Sequence, residues 1–358
     1  MWPDRRIQDL FAVALPIVQA PMAGAQLAEL AIGAAQAGAL GSLPCAMLTP
    51  QQVREQYAAF RAAASDAPLN LNFFCHRPPQ DDPAREHAWR ERLAGYYREY
   101  GLDPAMPVAA SSRAPFDPAW CELVEELKPR VVSFHFGLPE AGLLDRVRAS
   151  GARIVSSATS VEEALWLEQR GCDAIIAQGA EAGGHRGVFL RDEVSTQTGL
   201  FALLPRVADA VRVPVIAAGG IFDARGIAAA FALGAAAVQI GTAYLYCPEA
   251  KISPLHRQAL LAGQGDDTAL TNVFTGRPAR GIVNRLMREV GPISALAPAF
   301  PLAGGALAPL RAKAETVGAD GFMPLWSGQA RAAHSLSARE LTSKLAHDAL
   351  ALLQSRGR

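Results

Sequence analysis

Eight short runs of β-branched and small apolar residues recur along the chain, separated by longer stretches rich in Ala, Leu, Glu and Arg. That alternation constrains the fold more than any other feature, because parallel strands need a crossover of a dozen or more residues, usually a helix. The expected strands are 16–20, 39–43, 69–74, 131–136, 153–157, 174–178, 215–218 and 237–240. Helices are expected at 27–37, 50–64, 118–127, 160–170 and 223–233. Runs such as VPVIAAGG are continuously apolar, as strands covered on both faces require. The pair Thr159-Ser160 before VEEALWLEQRG supplies an N-cap, acidic first-turn residues and a Gly stop. Eight such units point to a single parallel α/β barrel, a fold that routinely uses 250 residues or more as one domain.

Two regions depart from the repeat. Residues 75–117, with the Pro/Asp-rich HRPPQDDP and a charged helix, read as an insertion after the third strand. Residues 246–358 follow the barrel core of 15–245 and contain PISALAPAFPLAGGALAP, whose Pro and Gly break up amphipathic length. They read as a C-terminal helical lid within one domain of 1–358, with a separate C-terminal domain as the alternative.

Composition excludes several classes of function. The chain is 50% hydrophobic and 19% charged, as globular proteins are. Lys plus Arg and Asp plus Glu balance at 34 each, so no global field draws it to nucleic acid or to an anionic membrane. The expected partner is a small molecule. The five cysteines, at 45, 75, 121, 172 and 247, form no CxxC or CxH pair. Reduced thiols in a cytoplasm are expected, with no metal. Arg5 and Arg6 before the apolar run 10–20 resemble a secretory signal. The run continues into PIVQAPMAGA, however, which reads as the first strand and its loop.

In a barrel of this kind the site lies on the loops after the strands, with phosphate often held after the seventh and eighth. The seventh strand ends in AAGGIFDARG, where Gly219 and Gly220 allow close backbone approach and Asp223 can cap the next helix. The eighth ends in VQIGTAYL, where Gly241 and Thr242 offer amides and a hydroxyl. Either motif alone could be a tight turn; at two successive strand ends they point to phosphate.

The sixth strand runs into AQGAEAGGHRG. Gln178 brings an amide that both donates and accepts, suited to the edge of a flavin ring. Gly183 and Gly184 then deliver His185 on a flexible turn into the barrel mouth, where a histidine suits proton transfer near neutral pH. Glu181 and His185 have metal-ligand spacing, but the intervening Gly-Gly argues against a helix. APMAGA places Met22 and Ala23 against an apolar ring, or leaves Met22 as core filler. LNLNFF turns Asn70 and Asn72 to one face, with Asn72 favoured for a ligand. His135, in SFHFG, is either an inward core histidine or a site residue.

APMAG, LNFF, SFHFG, AQGAEAGGHRG, AAGGI and QIGT together resemble the nitronate monooxygenase family, also called 2-nitropropane dioxygenases, over most of 15–245. SFHFG resembles the bacterial class I form. The resemblance implies a TIM-type (β/α)8 barrel with non-covalent FMN. It implies that Met22 and Ala23 approach the flavin, Asn72 and Gln178 bond it, and Gly183 lies close. Gly220, Gln239, Ile240, Gly241 and Thr242, with Gly219, would hold its phosphate end. It further implies His185 as catalytic base and His135 facing substrate. PLWSGQ resembles a segment that returns to the flavin, which brings in Gly328 and Gln329. The implied reaction is oxidation of an alkyl nitronate by molecular oxygen to a carbonyl compound and nitrite. Alternatives on the same scaffold are an FMN-dependent NAD(P)H reductase, acting on enoyl-acyl carrier protein or quinone, and a non-catalytic flavin-binding barrel.

Overall fold

The computed structural model, which describes residues 1–107, 113–191, 193–263 and 265–356, places eleven strands in chain order. These are β1 (Ile17–Gln19), β2 (Gly41–Pro44), β3 (Leu69–Phe74), β4 (Val131–His135), β5 (Arg153–Ala158), β6 (Ala174–Gln178), β7 (Gly184–His185), β8 (Val215–Ala218), β9 (Ala237–Ile240), β10 (Thr268–Thr271) and β11 (Ala279–Ile282). Eight pair in the order β1-β9-β8-β6-β5-β4-β3-β2, with every strand pair parallel. A parallel bridge between Val18 and Leu40 closes the ring. The result is the TIM-type (β/α)8 barrel. Asp117, Ser160 and Asp223 cap the helices that follow them through side-chain bonds to first-turn amides, and Thr49 with Gln52 forms a full capping box.

Side-chain alternation sorts each strand into an outer and an inner face. Outward residues such as Ile17, Leu71, Val132, Ile154, Ile175 and Val238 pack under the helices. Inward residues change character along the barrel axis. Near the N-terminal ends they are Val18, Val131, Val155, Ile176 and Ile216, sealed below by Ile7 and Phe11 of the helix Arg6–Phe11. Further along the strands they are Asn72, His135, Ser157, Gln178 and Gln239, all facing one cavity. The barrel is therefore an apolar plug with a polar rim at its C-terminal face.

The insertion and the extension fold together. Trp89, Leu93, Tyr96 and Tyr97 of the helix Pro83–Glu99 share a core with Phe274, Leu286, Met287, Leu307, Leu310 and Phe322. Trp89 Nε1 donates to the Ala303 carbonyl at 3.1 Å and the Tyr97 hydroxyl to that of Ala306 at 2.6 Å. The Gly/Pro-rich segment needs little amphipathic length of its own, because the insertion helix supplies the other half of that core. The extension is not wholly helical: it also contributes β10 and β11.

The final helix, Ala338–Arg356, belongs to the barrel wall. It packs between the helices Ala28–Gln36 and Ala224–Ala232, and its approach is so close that a Cβ on Gly33 would lie 2.7 Å from that of Ala338. The stretch 246–337 is thus a long excursion between the eighth barrel strand and its helix. Among the described residues no helix is long and apolar enough to cross a membrane.

Candidate active site

A cavity of about 480 Å³ opens at the C-terminal ends of the barrel strands. It gathers Met22, Ala23, Asn72, His135, Gln178, Gly183, His185, Gly219, Gly220, Gln239, Gly241, Thr242 and Gly328 from seven separate stretches of sequence. Two residues expected there do not line it. Ile240 follows Gln239 by one position, so alternation turns its side chain outward, where it is fully buried beneath the helices. Gln329 is exposed and meets the site only through its backbone, whose amide donates to the Glu181 carbonyl at 3.0 Å.

His185 is not on a free turn. Gly184 and His185 form β7, which pairs antiparallel with β11 in the register Ala279↔His185 and Arg280↔Gly184. The His185 carbonyl accepts from Gln178 Nε2 at 3.0 Å and faces His135 Nε2 at 3.2 Å, while Gln178 Oε1 accepts from the Gly187 amide at 2.8 Å. Gln178 thus spends one donor and one acceptor on the backbone of the histidine loop. Arg186, fully buried, ties the same loop to the strand by donating to the carbonyls of Gly179 at 2.6 Å and Gln178 at 2.8 Å. Glu181 is turned elsewhere: both its oxygens accept from the Leu200 amide at 2.9 Å, capping the helix Leu200–Ala210.

The imidazoles differ in their freedom. His135 Nδ1 lies 2.6 Å from the Ser157 hydroxyl and Nε2 faces a carbonyl, so both nitrogens are committed. Burial pushes its pKa down to about 3. His185 Nε2 lies 3.0 Å from the Thr275 hydroxyl, with its other edge toward the cavity. Burial, and then the charges of Arg113, His135, Arg277 and His76, hold its pKa well below the usual histidine value. The ring is neutral at pH 7 and can accept a proton, and its cationic surroundings favour any anion beside it.

Aromatic rings wall this corner. Phe74, Phe136, Phe300 and Trp326 lie 6.2, 5.9, 5.3 and 5.6 Å from the His185 ring. Arg277 sits 4.1 Å over the Phe136 ring and donates to the Val188 carbonyl. Arg113 and Arg311 line the cavity from the insertion and the extension. Sequence reasoning did not single out Arg113, Trp326, Thr275 or Phe300. They come from the two irregular regions, and only the repeat itself makes a residue's position readable.

The opposite wall could hold a phosphorylated cofactor. Gly219 and Gly220 adopt φ of +109° and +69°, which side chains disfavour. A Cβ on Gly183 would lie 2.5 Å from the Gly328 amide nitrogen, so glycine is required where the two segments meet. The Gly328 amide donates to Thr242 Oγ1 at 2.9 Å, which brings the extension's PLWSGQ segment against the eighth strand end. Gln239 Oε1 is buried without a partner among the described residues, an acceptor set for a ligand donor.

The sequence model of the nitronate monooxygenase family matches residues 4–348. A nitronate monooxygenase of Paraburkholderia phytofirmans is 42% identical over 346 residues, covering 95% of this chain and 94% of that protein. One of Pseudomonas aeruginosa is 39% identical, covering 96% and 98%. Among solved structures, a nitroalkane oxidase from Streptomyces ansochromogenes superposes with a TM-score of 0.88 at 37% identity, over 99% of this chain and all of that one. FabK from Thermotoga maritima, at 24% identity and a TM-score of 0.71, shares the fold.

Proposed function

The chain belongs to the nitronate monooxygenase family of oxidoreductases, and from that premise we propose that it binds FMN in the strand-end cavity. There it converts an alkyl nitronate and molecular oxygen into a carbonyl compound and nitrite. Oxidation of nitronates or nitroalkanes is the activity that the family and the nitroalkane oxidase fold support. The observation that carries the finer reading is a neutral, half-buried His185 whose backbone Gln178 holds, among Arg113 and Arg277, beside a wall with a Gln239 acceptor that has no partner among the described residues and paired glycine turns.

The residues fit FMN. Gly219, Gly220, Gly241 and Thr242 would take its phosphate, Gln239 would accept from one of its donors, and Met22, Ala23, Asn72, Gly183 and Gly328 would border it. When bound, the flavin accepts electrons from the substrate and passes them to oxygen. The protein's own work is different. Arg113 and Arg277 offset the negative charge of a nitronate, and the aromatic wall keeps bulk water from it. With a neutral nitroalkane, His185 accepts the carbon-bound proton; the anion so formed neutralises the nearby cations that otherwise depress its basicity. His135 holds the His185 carbonyl and acts as a positioning residue.

The test is to release and weigh the cofactor, then to follow oxygen uptake and nitrite formation with alkyl nitronates. FMN, with nitrite appearing in step with substrate loss, is the expected result. A colourless protein that FMN cannot reconstitute, or rapid anaerobic bleaching by NADH without nitronate turnover, overturns it.

A further inference from the structure

The Nε2 side of the His185 ring meets the hydroxyl of a threonine. Thr275, in the loop between β10 and β11, is 2% exposed, and its Oγ1 lies 3.0 Å from His185 Nε2. The same hydroxyl is 3.4 Å from the Arg277 carbonyl, which can only accept. With its hydrogen directed to that carbonyl, the Thr275 oxygen is left as acceptor, and the ring nitrogen opposite it must donate. His185 Nδ1 has no hydrogen-bond partner among the described residues, yet it is not among the buried polar atoms left unpaired; it opens onto the cavity.

The loop that carries Thr275 has little room to move. Gly276 holds φ +88°, its amide donates to the Asn272 carbonyl at 2.7 Å, and a Cβ there would collide with the Pro298 carbonyl. Asn272 is bonded in turn to both backbone groups of Ser294, at 2.9 Å each. On the other side the β7–β11 register fixes the His185 backbone. Both partners of the Thr275–His185 bond are thus clamped.

We propose that Thr275 is the positioning residue that holds His185 in the Nε2-protonated tautomer, leaving Nδ1 as the proton acceptor toward substrate. This rests on reading His185 as the base. In the step it serves, the carbon–hydrogen bond of a nitroalkane breaks and its electron pair stays with the substrate as nitronate. The proton forms a new bond to Nδ1, and the resulting imidazolium keeps Nε2–H on the Thr275 oxygen. The charged and titratable groups facing this ring are Arg113 from the insertion, His76 after β3, His135 on β4 and Arg277 from the same loop as Thr275. Among the described residues the hydrogen bond to a ring nitrogen of His185 comes from Thr275.

The test uses the flavin-bound protein labelled with ¹⁵N-histidine, with long-range proton–nitrogen spectra at neutral pH and His185→Asn to assign the signal. Wild type should show a protonated Nε2. Thr275→Val, of nearly the same shape, should shift the population toward the other tautomer, and Thr275→Ser should restore it. In parallel, Thr275→Val should lower kcat/KM for a neutral nitroalkane roughly ten-fold, with turnover of the preformed nitronate changed much less. A wild-type ring protonated at Nδ1 overturns the proposal without any variant, as does an unchanged tautomer in a folded Thr275→Val. A shifted tautomer with equal losses on both substrate forms upholds the hydrogen-bond assignment and overturns His185 as base.

Discussion

Gln178 donates from Nε2 to the carbonyl of His185 at 3.0 Å, so the last residue of β6 holds the backbone of the histidine seven positions later. The same amide accepts from Gly187. Gln178→Leu keeps similar bulk but strands the Gly187 amide and leaves the His185 carbonyl to His135 alone. A buried unsatisfied group costs about 1–3 kcal/mol, so the melting temperature should fall by a few degrees. Activity should fall further than stability, because the misplaced group is His185. Calorimetry and oxygen uptake on one preparation check both; a large stability loss with full activity counts against this clamp.

Stability should drop on acidification well before the carboxylates titrate. His135 is held at about 3, His76 at about 4 and His256 at about 4, each by burial first, and His185 is lowered as well. Their unfolded values lie near 6.5. Between those limits the unfolded chain binds more protons than the folded one, so unfolding free energy rises with pH. The contribution is complete above about pH 6.5 and is lost progressively as pH falls toward 4. Melting temperature against pH measures this, and His76→Phe should flatten the slope.

Gly241→Glu should fold and lose flavin. A Cβ there meets nothing nearer than Ala20 Cβ at 3.6 Å and Met22 Sδ at 3.7 Å, so the backbone tolerates it. The carboxylate would enter the cavity and repel a phosphate dianion in a poorly screened site. Stoichiometric FMN at unchanged affinity would contradict the placement of the phosphate.

His185→Asn should separate proton transfer from electron transfer. A neutral nitroalkane must lose a proton first, and general-base catalysis contributes about 10²- to 10⁴-fold. Turnover of that form should fall by this factor if wild type uses it, while the preformed nitronate is affected much less. Oxygen consumption with each form, measured before they interconvert, decides the matter.

Arg113→Ala should raise KM for a nitronate about ten-fold with a smaller change in kcat. Arg113 lines the cavity and its charge reaches His185. The wild-type KM should rise with salt and that of the variant much less, since screening weakens only a charge that is present. Equal salt dependence in both would place the attraction elsewhere.

Strand positions were readable because a buried parallel strand is a local pattern: 69–74, 174–178, 215–218 and 237–240 have the bounds that their apolar runs imply. The glycine turns were readable for the same reason, since positive φ at Gly219 and Gly220 is a local demand. Parity within a strand was also in the sequence, and it turns Ile240 away once Gln239 is known to face inward. What no local pattern carries is a contact between distant segments. The pairing of β7 with β11 spans nearly a hundred residues and converts an expected flexible turn into a clamped strand. Thr275, Arg113 and Trp326 sit in stretches whose composition says only loop or irregular helix, and tertiary packing of the insertion against the extension brings them to His185. The sequence by itself determined the barrel, its polar rim and the histidine. Only the folded chain decided which nitrogen of that histidine is free and what charge surrounds it, because those properties depend on distances between groups that the sequence keeps far apart.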